Sequence, residues 1–295
     1  MRHANLMPDF LAIGHVTRDL LPDGSWRLGG TVTFAALTAT RLGLRPAIVT
    51  SAPPDVVAAL DAILPDIPLS IIPSDDATTF ENIYSTAGRK QYLRGRAAPL
   101  TVDAVPLAWQ EAPVVLLAPL AQEVDVGLVA AFPRSLLAAT PQGWLRQWDA
   151  AGLVAPAPLS HGETLLPHMR AMILSRDDVQ PSARAVIGQW SRVVPLVVET
   201  EGAEGAYLWR SGRQSELFVG YPANEVDPTG AGDVFAAAFL CELHATGDAA
   251  RAVDFANQVA ACSVEAPGGE GIPTREMLAT RWKRSETADE PGDVG

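Results

Sequence analysis

The sequence predicts an α/β protein with a doubly wound, mostly parallel sheet and helices on both of its faces. Short apolar segments alternate with segments of helical pattern, and nearly unbroken apolar runs are typical of strands that are buried on both faces. This alternation is characteristic of a parallel sheet covered by helices. The predicted strands are residues 9–13, 46–50, 114–118, 171–175 and 195–199, and the predicted helices are residues 30–42, 54–64, 123–131 and 181–192.

Two regions depart from this alternation. The segments at about residues 16–28 and 78–96 alternate polar and apolar residues and contain Gly or Asp-Gly turns, which predicts β-ribbons with one solvated face. We expect them to form a small β-sheet lid over the main domain. A hairpin is expected over residues 207–219, followed by helices at residues 234–245 and 248–265.

No linker divides the sequence convincingly, so we expect one domain over residues 1–283. The remaining residues, 284–295, are polar and contain Gly and Pro, which predicts a flexible tail.

Composition and charge narrow the function classes. The chain has 295 residues, of which 48% are hydrophobic and 19% charged, as in a compact folded protein. Its formal net charge of −12 argues against sequence-independent binding to nucleic acid, which needs Lys and Arg to neutralise phosphates. No apolar run is long enough to span a bilayer and no signal-peptide core opens the sequence, so we expect a cytoplasmic protein without a membrane partner.

Cysteine and histidine give no sign of a metal site. Two cysteines, Cys241 and Cys262, lie in predicted helices, and the five histidines lack the spacing of metal ligands. We therefore expect neither a disulfide framework nor a metal cluster.

The strongest functional pattern is DPTGAGD at residues 227–233, followed at once by an apolar helical segment. Gly230 and Gly232 leave backbone N–H groups uncovered at a helix start, where an anion is stabilised. Asp233 would lie in the first turn, where a carboxylate can accept the proton of an attacking hydroxyl. The alternative is a plain helix start with a Thr cap, which a lone GxG pair would favour. The complete string favours an anion site, and no P-loop pattern is present.

The segment DPTGAGDVFAAAFL resembles the C-terminal signature of the ribokinase, or PfkB, carbohydrate kinase family. GHVTRD at residues 14–19 has the family's GxxxxD form, and Leu28-Gly29-Gly30 precedes a helix ending at Arg41-Leu42-Gly43. The resemblance extends over about residues 9–280. It implies a ribokinase-like fold whose lid closes over the acceptor, and transfer of the γ-phosphate of ATP to a hydroxyl of a small polyol.

The resemblance also assigns roles to residues. It makes Asp233 the catalytic base, with Gly230, Ala231 and Gly232 as the anion hole, and it makes Asp19, Gly29 and Gly30 acceptor contacts. TEGAEG at residues 200–205 resembles the family's TxGxxG strand and turn. The implied nucleotide-binding residues are Thr200, Gly202, Gly205, Thr229 and Asn257.

Metal binding is implied as well. SRDD at residues 175–178 stands where the family usually has NxxE, which is tied to Mg²⁺ and phosphate. Asp178 is therefore the candidate metal residue, acting directly or through water. A monovalent cation near the Asp227 loop is a further expectation from the resemblance.

Three departures from the family pattern bear on the acceptor and on the metal. Phe34 replaces an Asn that contacts substrate in many members, SAPPD at residues 51–55 replaces a GxD stretch, and SRDD shortens the acid of NxxE. GHVTRD, LGGTVTF and VDPTGAGD are closest in style to the plant myo-inositol kinases, which favours a cyclitol such as myo-inositol. Phe34 would then contact substrate, or else serve as core packing for its helix.

The sequence leaves other functions open. The same machinery would serve a nucleoside kinase, and the altered metal pattern is compatible with a catalytically silent nucleotide- or polyol-binding protein. Arg89, Arg94 and Arg96 form a solvated ribbon face or reach an anionic ligand on lid closure. Trp144 is expected in the core, with Arg146 as a candidate contact to the nucleotide phosphates. A homodimer through the lid is also a prediction.

Overall fold

The computed structural model describes residues 6–85, 88–179 and 183–288. Fifteen strands lie within these residues, most of them in one large sheet. In chain order the strands are β1 (Phe10–Ile13), β2 (Thr17–Leu20), β3 (Trp26–Gly29), β4 (Pro46–Ala52), β5 (Leu69–Pro73), β6 (Thr78–Ser85), β7 (Gly88–Gly95), β8 (Val114–Leu117), β9 (Leu136–Ala139), β10 (Arg146–Trp148), β11 (Val154–Pro156), β12 (Ala171–Ser175), β13 (Leu196–Thr200), β14 (Gly205–Arg210) and β15 (Arg213–Val219).

The α-helices begin and end at recognisable signals. Pro54 occupies the first turn of the second helix, the fifth ends at Gly247 in the left-handed conformation, and Asp248 caps the sixth by accepting from the Ala250 and Arg251 amides. The helices are α1 (Thr31–Arg41), α2 (Pro54–Ile63), α3 (Gly162–Leu165), α4 (Ala183–Trp190), α5 (Ala231–Thr246), α6 (Ala249–Ser263) and α7 (Arg275–Ala288).

The large sheet has the strand order β15-β14-β13-β12-β9-β8-β1-β4-β5. All neighbouring pairs from β13 to β5 are parallel, and the β14–β15 hairpin adds an antiparallel edge. Alternate residues of one strand enter different cores: Phe10 and Ala12 pack with α1, α5 and α6, whereas Leu11 and Ile13 pack on the opposite face. The predicted doubly wound α/β fold is thereby confirmed.

A separate four-stranded sheet in the order β3-β2-β6-β7 corresponds to the predicted lid. Asp19 on β2 is paired with Arg27 on β3 in antiparallel register, and β6 joins β2 in parallel. The edge strand β7 contacts the β10–β11 ribbon, because the Leu93 amide donates to the Gly152 carbonyl at 2.8 Å. Residues 86 and 87 of the predicted lid segment lie outside the described residues.

Some predictions of secondary structure were wrong. The helix expected at 123–131 is a 3-10 helix at Val126–Ala131, capped by Asp125, and Pro133 restricts the residue before it from continuing a helix. Strands β5 and β9 and helix α7 were not predicted. Helix α7 includes residues 284–288 of the expected tail, and residues 289–295 lie outside the described chain.

Cys241 on α5 and Cys262 on α6 are buried free thiols. Over the residues that the structure describes, no helix has both the length and the apolar composition needed to cross a bilayer.

Candidate active site

The loop before α5 brings the predicted base to the carboxyl end of the large sheet. Gly230 adopts the left-handed conformation (φ 78°) and Asp233 follows in the first turn of α5, where its Oδ1 accepts a hydrogen bond from Thr31 Oγ1 at 2.8 Å. A Cβ on Gly230 would lie 2.7 Å from the Phe34 ring, whereas one on Gly232 would meet nothing within 4 Å. The loop is therefore packed at Gly230 and open at Gly232, as an anion site requires.

The Asp233 carboxyl has an altered acidity. Its pKa is raised from 3.8 to about 6, first because burial disfavours the charged form and then because Asp178 and Asp19 add negative charge. The Thr31 hydrogen bond and the charge of Arg146 act in the opposite direction. A carboxylate with a pKa just below neutrality is suited to accept a proton during a reaction.

A cavity of about 610 Å³ opens on the Gly232 side of the loop. Ala231 and Gly232 form part of its wall, together with Phe235 on α5 and Asn257 on α6. Thr200, Gly202 and Gly205, which the sequence linked to a nucleotide, also line this cavity. Of the five predicted nucleotide-binding residues, four are thus brought together, and the fifth, Thr229, bonds to Arg27.

Glycines shape this wall because side chains would collide with the backbone. Gly205 has φ 108°, and a Cβ there would lie 2.0 Å from the Phe218 carbonyl oxygen; Gly202 has φ 56°. Asn257 is buried and its Nδ2 donates to the carbonyls of Phe218 and Val219, at 2.9 and 3.4 Å. Its amide nitrogen therefore fixes β15 to α6, which holds the cavity in shape.

On the other side of Asp233 lies the lid. Asp19 Oδ1 accepts from Thr17 Oγ1 at 3.2 Å, and a Cβ on Gly29 would lie 2.5 Å from Asp19 Oδ2. Gly30 has φ 98°, and a side chain there would collide with the His15 carbonyl oxygen. Burial raises the pKa of Asp19, although the Thr17 hydrogen bond and Arg27 oppose the shift. Asp19, Gly29 and Gly30 are therefore assembled at one point of the lid.

Phe34 lies behind the loop. Its side chain is 7% exposed and its ring faces Gly230. This is the core-packing arrangement considered from the sequence, and it supports the loop before α5 from the side of α1. Contact between Phe34 and a substrate stays a prediction.

Several charged residues in and near the lid have defined partners. Arg94 forms an ion pair with Glu81 at 2.6 Å, and Arg96 lies 5.7 Å from the centroid of the Trp148 ring. Arg89 is exposed at the start of β7.

Trp144 is buried in the core, as expected from the sequence, and its Nε1 donates a hydrogen bond to the Val124 carbonyl at 2.9 Å.

Comparison with known protein families identifies a domain in this chain. Residues 171–275, from β12 to the start of α7, match the pfkB family carbohydrate kinase. The chain contains a PfkB carbohydrate kinase domain. It is accordingly a phosphotransferase whose acceptor is an alcohol group.

One curated relative and two solved structures of similar fold align with most of the chain. A cytidine kinase of Thermococcus kodakarensis is 28% identical over 252 residues, covering 79% of this chain and 88% of the relative. A ribokinase of Bacillus subtilis is 42% identical over 80 residues, which are 27% of this chain and 27% of the relative.

Solved structures share the fold. A pyrophosphate-dependent kinase of the ribokinase family, in complex with a pyrophosphate analog and myo-inositol, has a TM-score of 0.77 at 22% identity. The alignment covers 92% of this chain and 99% of that one. Arabidopsis thaliana ribokinase has a TM-score of 0.71 at 16% identity, covering 93% and 98%. These two structures confirm the ribokinase-like fold.

Asp178, the residue predicted to bind a metal in this PfkB domain, accepts a hydrogen bond at each of its carboxylate oxygens. Asp178 Oδ2 accepts from the Ser175 amide at 2.9 Å, and Oδ1 accepts from Gln142 Nε2 at 3.1 Å. Within residues 6–85, 88–179 and 183–288, no group of three or more His, Cys, Asp or Glu could hold a metal ion. In kinases Mg²⁺ is usually held by one or two carboxylates together with phosphates and water, and a single carboxylate at Asp178 is compatible with that arrangement.

Arg27 is a site residue that the sequence analysis missed. Its Nη2 donates to Thr229 Oγ1 at 2.8 Å, and its Nη1 lies 3.5 Å from Asp227 Oδ2, so the lid strand β3 touches the DPTG loop. Its position opposite Asp19 in a predicted hairpin was a usable signal. A guanidinium therefore stands beside the carboxylate where the resemblance implied a monovalent cation.

His15 and Glu123 also join the lid to the main domain without having been predicted. Glu123 is buried and accepts from the amides of His15, Leu120 and Ala121. The His15 ring lies 2.6 Å from Thr78 Oγ1 through Nδ1 and 2.8 Å from the Ala98 carbonyl through Nε2. Since a carbonyl accepts, Nε2 carries the proton and Nδ1 accepts from Thr78.

Proposed function

We propose that this PfkB protein is an ATP-dependent kinase that transfers the γ-phosphate to a hydroxyl of a small polyol, a sugar or a cyclitol such as myo-inositol. One observation supports this most: Asp233 lies between a cavity walled by Ala231 and Gly232 and a lid carboxylate, Asp19, close enough to influence its pKa. The base thus has a space for the donor on one side and a polar group for the acceptor on the other.

The chemistry follows from this placement. Asp233, with a pKa of about 6, is mostly ionised at neutral pH and accepts the hydroxyl proton as the acceptor oxygen attacks the γ-phosphorus. The new O–P bond forms while the bond to the leaving diphosphate breaks, and the electron pair of that bond stays on the diphosphate oxygen. The backbone N–H groups of Gly230 and Gly232 stabilise the phosphoryl oxygens, whereas the Ala231 N–H donates to the Pro228 carbonyl at 3.2 Å. Mg²⁺ bound to the phosphates would supply charge neutralisation, and Asp178 is the carboxylate that would hold it, directly or through water.

The size and lining of the cavity favour a nucleotide over pyrophosphate as donor. A volume of about 610 Å³ falls in the range of small-molecule pockets, and Tyr221, Pro222 and Ala223 contribute a surface that a base and ribose could cover. Pyrophosphate would leave this surface empty. The solved structures that resemble this fold include a pyrophosphate-dependent kinase, so the donor needs a direct test.

A nucleoside acceptor is the second candidate. The cytidine kinase that matches most of the chain favours it, whereas the myo-inositol complex of similar fold favours the cyclitol. Both acceptors would offer hydroxyls to Asp19 and Asp233.

One panel of assays tests these proposals. The purified protein is assayed with ATP or pyrophosphate and with myo-inositol, ribose, fructose, cytidine and adenosine. Transfer from ATP to a polyol is the expected result, and Asp233→Asn should lower kcat by roughly 10²- to 10⁴-fold. The exposed Asp75→Asn serves as the matched control. A melting shift with ATP but no transfer to any acceptor would instead indicate a silent binding protein.

The lid-mediated homodimer remains part of the proposal. Two apolar residues of this sheet are exposed: Leu21, directly after β2, at 37%, and Ile83, on β6, at 43%. Light scattering measures the mass in solution, and a monomer at micromolar concentration would contradict this element.

A further inference from the structure

Thr31 links the start of α1 to the candidate base. It is the first residue of α1 and is buried, and its Oγ1 donates to Asp233 Oδ1 at 2.8 Å. The hydrogen bond therefore joins the first turn of α1 to the first turn of α5. Among the residues that the structure describes, no second hydrogen-bond donor contacts the Asp233 carboxylate. Oδ2 is thus the oxygen that remains available to a ligand.

The hydrogen bond of Thr31 differs from those of the other three threonines on its helix. The hydroxyls of these three donate to the carbonyl four residues earlier, as threonine hydroxyls in helices commonly do. They belong to Thr33, Thr38 and Thr40. The Thr31 hydroxyl instead donates to a side chain 202 residues later in the sequence. It therefore connects two helices and does not serve the helix that carries it.

The packing around Thr31 fixes the place of its hydroxyl. Gly30, directly before it, has φ 98°, and a Cβ there would lie 2.6 Å from a backbone carbonyl oxygen. One turn further along α1 the Phe34 ring packs on Gly230, where a Cβ would lie 2.7 Å from the ring. Positions three apart share one face of a helix, so the packing that brings Phe34 to the loop also brings Thr31 to Asp233.

The orientation of a carboxylate matters when it acts as a base. The oxygen that takes the proton must lie within hydrogen-bond reach of the hydroxyl, and a misplacement of about 1 Å can lower the rate about 10²-fold. An aspartate side chain can change its rotamer unless neighbouring groups hold it. A hydroxyl that donates to one oxygen holds the carboxylate and favours its ionised form.

We propose that Thr31 is a positioning residue of the kinase, whose hydroxyl holds Oδ1 of Asp233 so that Oδ2 receives the proton of the acceptor hydroxyl. This inference rests on the proposed kinase activity. The acceptor O–H bond breaks and its proton passes to Oδ2, while the acceptor oxygen bonds to phosphorus. The bond to the leaving diphosphate breaks with its electron pair on the diphosphate oxygen. Thr31 keeps its own proton and donates to Oδ1 before and after the transfer.

A role in packing alone is the competing explanation. In that case the loss of the hydroxyl would change the stability of the protein and leave the titration of Asp233 where it is. A positioning role predicts a different result, because the Thr31 hydrogen bond lowers the pKa of Asp233 and its removal must raise that pKa. The charged groups that also affect this pKa, Asp178, Asp19 and Arg146, stay the same in every variant.

The test compares Thr31→Val and Thr31→Ser with the control Thr38→Val. Val keeps the branched shape without the hydroxyl, and Ser keeps the hydroxyl without the methyl group. Thr38→Val removes a buried hydroxyl of the same helix that donates to a backbone carbonyl. Carbon-13 NMR of the aspartate carboxyl groups follows the titration of Asp233 in protein without ligands, and Asp233→Asn identifies its signal. Steady-state kinetics between pH 5 and pH 9 uses the donor and the acceptor on which the wild type is active in the panel.

We expect the titration of Asp233 in Thr31→Val to move to higher pH by about one unit, both in the NMR signal and in the acid limb of kcat/KM. At pH values above that limb, kcat should fall about 10- to 100-fold because the carboxylate is no longer held. Thr31→Ser should keep a kcat within about threefold of the wild type, because it keeps the donor. Thr38→Val should titrate like the wild type, and thermal melting confirms that the variants fold.

Three results would overturn the role of Thr31. They are a titration of Asp233 that stays in place in Thr31→Val, a kcat of Thr31→Val equal to that of Thr38→Val above the acid limb, and a Thr31→Ser variant as impaired as Thr31→Val. With an active wild type, any of these overturns the positioning role alone. A wild type that transfers no phosphate to any acceptor of the panel would overturn the proposed function, and this role with it.

Discussion

Asp233→Asn should make the protein more stable at pH 8 while it inactivates the enzyme. The wild-type carboxylate is ionised at that pH although burial and the charges of Asp178 and Asp19 disfavour the ionised form. Asn is of nearly the same shape, and its side-chain oxygen can still accept the hydrogen bond from Thr31. The substitution therefore removes an unfavourable charge and keeps the packing.

The magnitude follows from the two pKa values. A group whose pKa is higher in the folded state stabilises the fold below its unfolded value of 3.8, and that contribution is lost as the pH rises through about 6. The complete difference corresponds to about 3 kcal/mol, at 1.36 kcal/mol for each pH unit. Of this, about 1 kcal/mol is lost between pH 5 and pH 8.

Urea unfolding at pH 5 and at pH 8 measures the effect in the wild type and in Asp233→Asn. The advantage of the variant in free energy of unfolding should grow by about 1 kcal/mol between the two pH values. Asp75→Asn, on the exposed turn between β5 and β6, controls for loss of one charge from an acidic protein. The same stability difference at both pH values, or a variant less stable than the wild type at pH 8, would refute the burial argument.

The remaining predictions concern the same loop and its contact with the lid. In the wild type, kcat/KM should rise with pH up to about 6 and then level off, because Asp233 must be ionised to act as base; an acid limb more than a unit away would contradict this. Gly230→Ala should destabilise the protein by about 2 to 4 kcal/mol in urea unfolding, since it combines a left-handed backbone with a clash against Phe34. Gly232→Ala, its matched control, should leave the melting temperature unchanged and lower kcat by roughly tenfold, because its methyl group stands at the loop amides. Arg27→Gln should raise the acceptor KM several-fold without a change in melting temperature, since it releases the lid from Thr229.

The parallel core was predictable because its signal is local. Strands such as β8 and β12 are buried along nearly their whole length, and such runs stand out in any sequence. Helix α7 was missed for the opposite reason: it is largely polar, and Leu278 is its buried anchor, so it has the composition of a tail. Strand β9 was missed because LLAA is too short to be distinguished from a loop.

Part of the candidate site consists of residues that are consecutive in sequence, and part consists of residues that only the fold brings together. The DPTGAGD loop could be understood from its own residues, because glycines, helix start and carboxylate are consecutive in sequence. The residues that hydrogen-bond to this loop are distant in sequence. Thr31 contacts Asp233 and Arg27 contacts Thr229, with a separation of 202 residues in each case. No periodicity in a sequence encodes such a contact, since it exists only once the lid strand β3 and helix α1 have been placed over α5 by the fold. The proposed base and anion hole are thus encoded in one segment of the sequence, whereas the pKa of Asp233 depends on the tertiary structure.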